Sequence, residues 1–277
     1  MYYARATQKV AKSICFFLFA AASSASLFAA TRRHEPEARA LPAKFLPEKD
    51  VTVHVSAKKD RILLRINKEK PVEIGELDPG AGMTGNKPII IADFNFDGAD
   101  DLAVLDGIGY NGVNMFYRIY LWEKGQLRFR EIKTTISNPV LYKNSSLIIS
   151  AQRSGPRWYQ ALFRVVNGEI YRYADAQMLD NPDLWGLVFP DENGQPGKRA
   201  VVTARWLDSP VGAVPAVEVD YSPSLCSGEK APAKGAVDKQ KRRVQVLDFR
   251  EEGAEIQIQA TGKTEKTWVS TNCIVVK

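Results

Sequence analysis

Histidine is nearly missing from this chain, which has two, His34 and His54, among 277 residues. That scarcity leaves little for catalysis that relies on an imidazole base, and neither a G-x-S-x-G nucleophile motif nor a Cys/His cluster with zinc spacing accompanies it. His54 alternates with Val51, Val53 and Val55 and reads as a polar residue on a strand face. Phosphate-cradling loops are absent too, since neither GxGxxG nor GxxxxGK[ST] occurs. Long apolar runs are also lacking. Ile14 to Ala22 is uninterrupted but stops well short of the roughly 20 residues a membrane-spanning helix needs.

That short run follows Arg5, Lys9 and Lys12 and precedes Ser23, Ser24 and Ala25, the layout of a cleaved secretory signal over residues 1–25. Cys15 lies early in the apolar run, so lipidation is not expected. No membrane anchor is expected after cleavage, and the localisation is periplasmic or secreted. Removal takes the basic residues from 38 to 35 against 32 acidic ones, and the formal charge from +6 to +3. No concentrated basic face or recognition motif remains, so nucleic acid is not an expected partner. Cys226 and Cys273 are left as an even pair in an oxidising compartment. A disulfide or two buried free thiols would satisfy that count equally well.

Residues 26–50 carry three prolines and alternating charges without apolar periodicity, and read as a flexible leader. From Val51 onward the chain is a succession of short alternating runs, expected to be strands. Asn167-Gly168 is a type I′ hairpin signal and Lys124-Gly125 a second turn. The turn-rich stretch 176–198 reads as a boundary between a β domain over 51–190 and a smaller β module over 198–277. Ser222 to Arg243 reads as a long exposed loop. The expected fold class is all-β, a propeller-like arrangement or sandwich of small antiparallel sheets, with an SH3-like barrel or further blades at the end.

The most specific local pattern lies between two of these runs. Asp93, Asn95, Asp97 and Asp101 recur at positions 1, 3, 5 and 9 of a loop with Gly98 at position 6. Calcium takes six to eight oxygens, and three carboxylates, one amide and the position-7 carbonyl of Ala99 are donors of that kind. Val104 replaces the position-12 glutamate of an EF-hand, and both flanks are strand-like. An Asp/Gly turn that binds nothing is the alternative. The strand–D-x-N-x-D-G-x-x-D–strand pattern resembles the calcium loops of FG-GAP and VCBS repeats of β-propellers. The resemblance implies calcium (Ca2+) held by Asp93, Asn95, Asp97 and Asp101 side chains and the Ala99 carbonyl.

Two further segments have the composition of a contact surface. Asp106 to Gly112 is glycine-rich and presents Tyr110 and Asn111; because it follows the second strand of the metal loop, an ion is expected to brace its base. Arg153 to Tyr159 places Arg157, Trp158 and Tyr159 around a Ser-Gly-Pro turn, residue types enriched at interface hot spots. The basic stretch Lys230, Lys234, Lys239, Lys241, Arg242 and Arg243 reads as a solvated loop or a site for an acidic partner. Trp206, Tyr221 and Trp268 are core residues or the lining of a groove, and the strands around Trp206 and Trp268 resemble bacterial SH3-like modules.

The combination of signal, single calcium loop and strand-rich body resembles small periplasmic VCBS-like proteins, among them immunity proteins against peptidoglycan-cleaving effectors and inhibitors of lysozyme. It implies a non-catalytic binder of a protein partner, with a peptidoglycan hydrolase as the target class. A module that binds peptidoglycan itself and a hydrolase with a dispersed carboxylate site are the alternatives. Exported from a bacterial host, the mature chain is expected to begin near Ser26. Intact mass decides this, and a soluble product that keeps Met1 to Ala25 would refute the signal reading.

Overall fold

The computed structural model describes residues 33–80, 87–208, 210, 213–226 and 241–276; the expected signal peptide and residues 26–32 lie outside them. The described residues belong to one compact unit. The fold is all-β. Its first strands are short: β1 (Arg33–His34), β2 (Ala38–Arg39) and β3 (Ala43–Phe45). β3 starts a four-stranded meander with β4 (Val53–Lys58), β5 (Arg61–Ile66) and β6 (Val72–Glu76). β2 lies on the edge of a second meander of β7 (Ile89–Ala92), β8 (Asp101–Gly109), β9 (Asn114–Glu123) and β10 (Arg128–Ser137). β1 opens a seven-stranded sheet that continues through β11 (Pro139–Tyr142), β12 (Leu147–Ser154), β13 (Arg157–Val166), β14 (Glu169–Met178), β15 (Leu184–Pro190) and β16 (Pro196–Thr203).

After a helical turn, α1 (Ala204–Leu207), the last sheet is built from β17 (Val217–Tyr221), β18 (Arg242–Phe249), β19 (Glu255–Ala260), β20 (Lys266–Ser270) and β21 (Ile274–Val275), in the order β20-β19-β18-β17-β21. A disulfide joins Cys226, at the end of the short helix α2 (Pro223–Cys226), to Cys273, with Cα atoms 4.9 Å apart.

The apolar run of β7 explains how the sheets stack. Successive side chains of a strand point to opposite faces. Ile89 and Ile91 join a core with Val53, Val55, Leu64 and Trp122, whereas Ile90 and Ala92 join another with Leu105, Ile119, Leu141 and Ile148. The second sheet is therefore covered on both sides, by the first meander and by β11 to β13. Burial of a side chain such as Ile89 contributes about 1.5–3 kcal/mol, and a strand buried on both faces reads as continuously apolar for that reason. The same alternation divides β11 and β12: Leu141 and Ile148 face the second sheet, while Tyr142, Leu147 and Ile149 face a core with Trp185, Leu187, Val202 and Leu207. The seven-stranded sheet thus curls so that β11 and β16 share one core.

Two expectations need correction. The segment expected as a flexible leader over 26–50 contains three paired strands from Arg33 onward, on the edges of three different sheets. Phe45 is buried, and the Asp100 N–H donates to the Pro47 carbonyl at 3.3 Å. Two or three residues per strand are too few to show periodicity, so the sequence carries no signal of this backbone pairing. The boundary at 176–198 also dissolves, because β14, β15 and β16 are hydrogen-bonded neighbours across it. Its turn residues punctuate hairpins within one sheet. Leu184 and Val201 pack with Val219, Val246, Phe249 and Ile258, so the C-terminal strands share a core with the sheet before them.

Gly186 is the tightest point of that joint. A Cβ added there would lie 2.4 Å from the Phe249 ring, which is buried and has the Arg199 guanidinium 4.2 Å from its centroid. Gly186→Ala is expected to destabilise the protein by about 1–3 kcal/mol in urea unfolding, the usual cost of overpacking. Adding Phe249→Leu should recover part of that loss, and an unchanged midpoint in Gly186→Ala would refute the packed joint.

Candidate metal centre and contact surface

The Asp93 to Asp101 loop joins β7 to β8, closing on the Ala92–Asp101 strand pair. Phe94 is fully buried in the second core and Ala99 in the first, so the loop is pinned from both sides of its sheet. Gly98 has φ +88°, the left-handed region that favours glycine. The Asp93 carboxylate accepts the N–H groups of Asp97 and Gly98, both at 3.0 Å. Asn95 Oδ1 accepts from the Asp97 N–H at 3.2 Å and its Nδ2 donates to Asp97 Oδ2 at 3.2 Å, while Asp97 Oδ1 accepts from the Ala99 N–H at 2.8 Å.

Asp101 does something further. Its side chain has no exposed surface, and its two oxygens accept N–H groups from Phe94 at 2.8 Å, Asn95 at 3.3 Å and Trp122 at 2.8 Å. It fastens the loop to itself and to β9. Burial pushes its carboxyl up to about 8, against the lowering by the Trp122 and Phe94 amides. Asp93 is also raised, first by burial, with the Asp97 charge adding to it.

The donor set suits a hard divalent cation. It consists of partly or wholly buried carboxylates crowded by like charge, together with the Asn95 amide oxygen and the Ala99 carbonyl. Among the described residues no three His, Cys, Asp or Glu side chains gather closely enough to hold a metal by themselves. An ion here would therefore draw on Asn95 and Ala99 as well as the aspartates.

The glycine-rich segment is not where adjacency in sequence placed it. β8 runs nine residues from Asp101 to Gly109, so Tyr110 sits at the far end of that strand, about 30 Å from the Asp93 to Asp101 loop at 3.3 Å per residue. An ion does not brace its base. Asparagines do: Asn114 Oδ1 accepts from the Arg153 N–H at 2.7 Å and its Nδ2 donates to the Arg153 carbonyl at 2.9 Å. Asn138 Nδ2 donates to the carbonyls of Val113 at 2.8 Å and Ala151 at 3.1 Å. Neither residue stood out in the sequence, since each acts on partners distant along the chain.

The structure does bring the two expected contact segments together. The Tyr110 hydroxyl donates to the Gly155 carbonyl at 2.7 Å, and the Arg153 guanidinium lies 5.6 Å from the Tyr110 ring centroid. Tyr110 and Asn111 are exposed, with φ +50° and +54°. The residues beyond the turn are otherwise engaged. Arg157 pairs with Asp180, Trp158 is half-buried against the core of Tyr142 and Leu162, and Tyr159 lines a shallow cavity of about 200 Å³ with Gln160 and Gln177.

His54 pairs across the sheet with Lys44 and Arg65, and burial followed by those two charges holds its imidazole below its ordinary value. Cationic neighbours are the reverse of what orients a general base. Trp206, Tyr221 and Trp268 do not line one groove. Trp206, in α1, packs against the core of Tyr142 and Leu162, Tyr221 lines one cavity with Val244 and Ile258, and Trp268 lines another with Phe249 and Arg250. Lys230, Lys234 and Lys239 lie outside the described residues. Lys241 and Arg243 pair with Asp220, and Arg243 also with Glu218.

No family model and no curated protein matches the chain. Among solved structures, a chain described as a Xanthomonas type IV secretion system related protein aligns with it at 15% identity, over 58% of this chain and 98% of its own, with a TM-score of 0.36. A likeness that slight carries no argument about fold or function.

Asp101→Ala would leave three buried amides without an acceptor. It is expected to cost about 3–5 kcal/mol in chelator-treated protein, far more than Asp93→Ala, whose partners lie nearer to water. Equal losses in the two variants, measured by urea unfolding, would refute the anchoring role of Asp101.

Proposed function

We propose that this chain is an extracytoplasmic, non-catalytic protein-binding module. Its contact surface is formed by Tyr110, Asn111, Val113 and Arg153 at one end of the stacked sheets, and its calcium loop lies at the other. The observation that carries this reading is the Tyr110–Gly155 hydrogen bond. It joins two loops from different sheets into one surface that offers an exposed aromatic ring beside a guanidinium. Such groups act as interface anchors when a partner desolvates them. The asparagine bonds behind them hold the backbone in place before binding, which reduces the ordering cost of association. Support against catalysis is chemical, since His54 is flanked by cations and the acidic cluster is taken up by its own loop amides. The family resemblance described above makes a peptidoglycan hydrolase the partner class to test first, bound at its active site and inhibited.

The separation of the two ends gives calcium a supporting part. It would raise stability by binding the native state alone, with an affinity on the order of 10⁻⁴–10⁻³ M. In pull-downs from bacterial periplasmic extract at low temperature, the mature protein is expected to retain one partner with or without chelator. Tyr110→Ala should weaken that complex at least about 30-fold, the loss of a hot spot worth about 2 kcal/mol. Undiminished binding by Tyr110→Ala would refute the surface. Sedimentation with purified peptidoglycan, or peptidoglycan cleavage by the protein itself, would replace the reading with a wall-binding module or a hydrolase, respectively.

A further inference from the structure

Two lysines from different sheets reach the Asp93 to Asp101 loop. Lys124, in the turn between β9 and β10, donates to the Asp97 main-chain carbonyl and holds its ammonium 3.3 Å from Asp97 Oδ1. Lys143, which opens the 3-10 turn Lys143–Ser145 after β11, places its ammonium 3.9 Å from Asp93 Oδ2. A third hairpin crowds the same end, where a Cβ at Gly168 would lie 3.8 Å from Asn95 Nδ2.

We propose that Lys124, assisted by Lys143, is the resident counter-cation of this loop, and that a divalent ion binds only by competing with it. The inference rests on the calcium reading of the loop and deepens it. Crowded carboxylates need positive charge nearby, and an ammonium on a flexible stem supplies it without a fixed coordination geometry. Both lysine side chains are largely accessible, 45% and 67% exposed, so each can swing into water when an ion arrives. An ammonium that stays about 5 Å from a divalent ion repels it, even at the dielectric of water, by enough to weaken binding about tenfold, and one that swings away gives up its carboxylate contacts instead. The lysines would thereby keep the loop folded at low calcium and set the concentration at which the ion takes over. Lys124, which touches Asp97 at two atoms, has the larger part; Lys143, farther away and more exposed, the smaller.

Calorimetric titration of the mature protein with calcium chloride, together with melting curves in chelator and in millimolar calcium, tests this. Lys124→Met should bind calcium about tenfold more tightly than the unaltered chain and melt lower in chelator. Lys124→Arg, which keeps the charge, should show no tightening, and neither should Lys263→Met on the C-terminal sheet. The double variant Lys124→Met/Lys143→Met should bind tightest. If the unaltered chain binds calcium and the double variant binds it no better, the competition is refuted while the calcium loop stands. If only the double variant binds, the competition holds and calcium is not the native occupant. If neither binds, both ideas fall.

Discussion

A sheet covered on both faces can show side chains to solvent only at its ends and edges. The second sheet here is in that position, with Ile89 and Ile91 facing one core and Ile90 and Ala92 another. The two cores take up the interior of β7 to β9, so polar chemistry in this part of the protein gathers in the connections. Because the meander is antiparallel, these fall into two groups. The Asp93 to Asp101 loop, the β9–β10 turn and the tip of the β13–β14 hairpin meet at one end, as the Lys124–Asp97 and Gly168–Asn95 approaches record. The Tyr110 turn, Asn138 and the Gly155 turn meet at the other.

Asp101 connects the buried layers to the exposed loop. A carboxylate removed from water is stable only when its oxygens are occupied by donors, and here three backbone amides fill that role, one of them from β9. Position 9 of the loop is thus a structural position in its own right, and positions 1, 3 and 5 lie nearer the surface where an ion or an ammonium can approach. The same three bonds fix the position of the loop relative to β9.

Features that depend on neighbouring residues were legible in the sequence. Asn167 and Gly168, with φ +53° and +78°, form the two-residue hairpin their identities call for, and the strand character of Ile89 to Ala92 follows from β-branched residues between turn signals. Lys124-Gly125 does mark a turn, although a wider one, since Glu123 pairs with Arg128. Features that depend on distant partners were not legible. Asn114 and Asn138 look like ordinary loop asparagines until the strands they bridge are in place. The stretch from Ala176 to Lys198 resembles a linker because hairpin turns and domain linkers draw on the same residues, and only the pairing of β14 with β15 tells them apart. Adjacency also misled, in that Asp101 and Tyr110 are close along the chain and lie at opposite ends of one strand.

The short strands between Arg33 and Phe45 bear on the order in which the molecule assembles. Most pairings in the first three sheets join neighbours in sequence, so each hairpin can form as soon as its residues are available, the condition for rapid folding. β1 and β2 are different: their partners β11 and β7 lie far along the chain, and Arg33 waits for Tyr142. With only two residues apiece they have no stability of their own, and they find a binding edge only when a sheet already offers one. Their docking is therefore a late event that reports completion of the stack. Until it happens the outer edges of β7 and β11 are open to strands of other chains, so crowding during synthesis is the circumstance in which this protein is most exposed to misassembly.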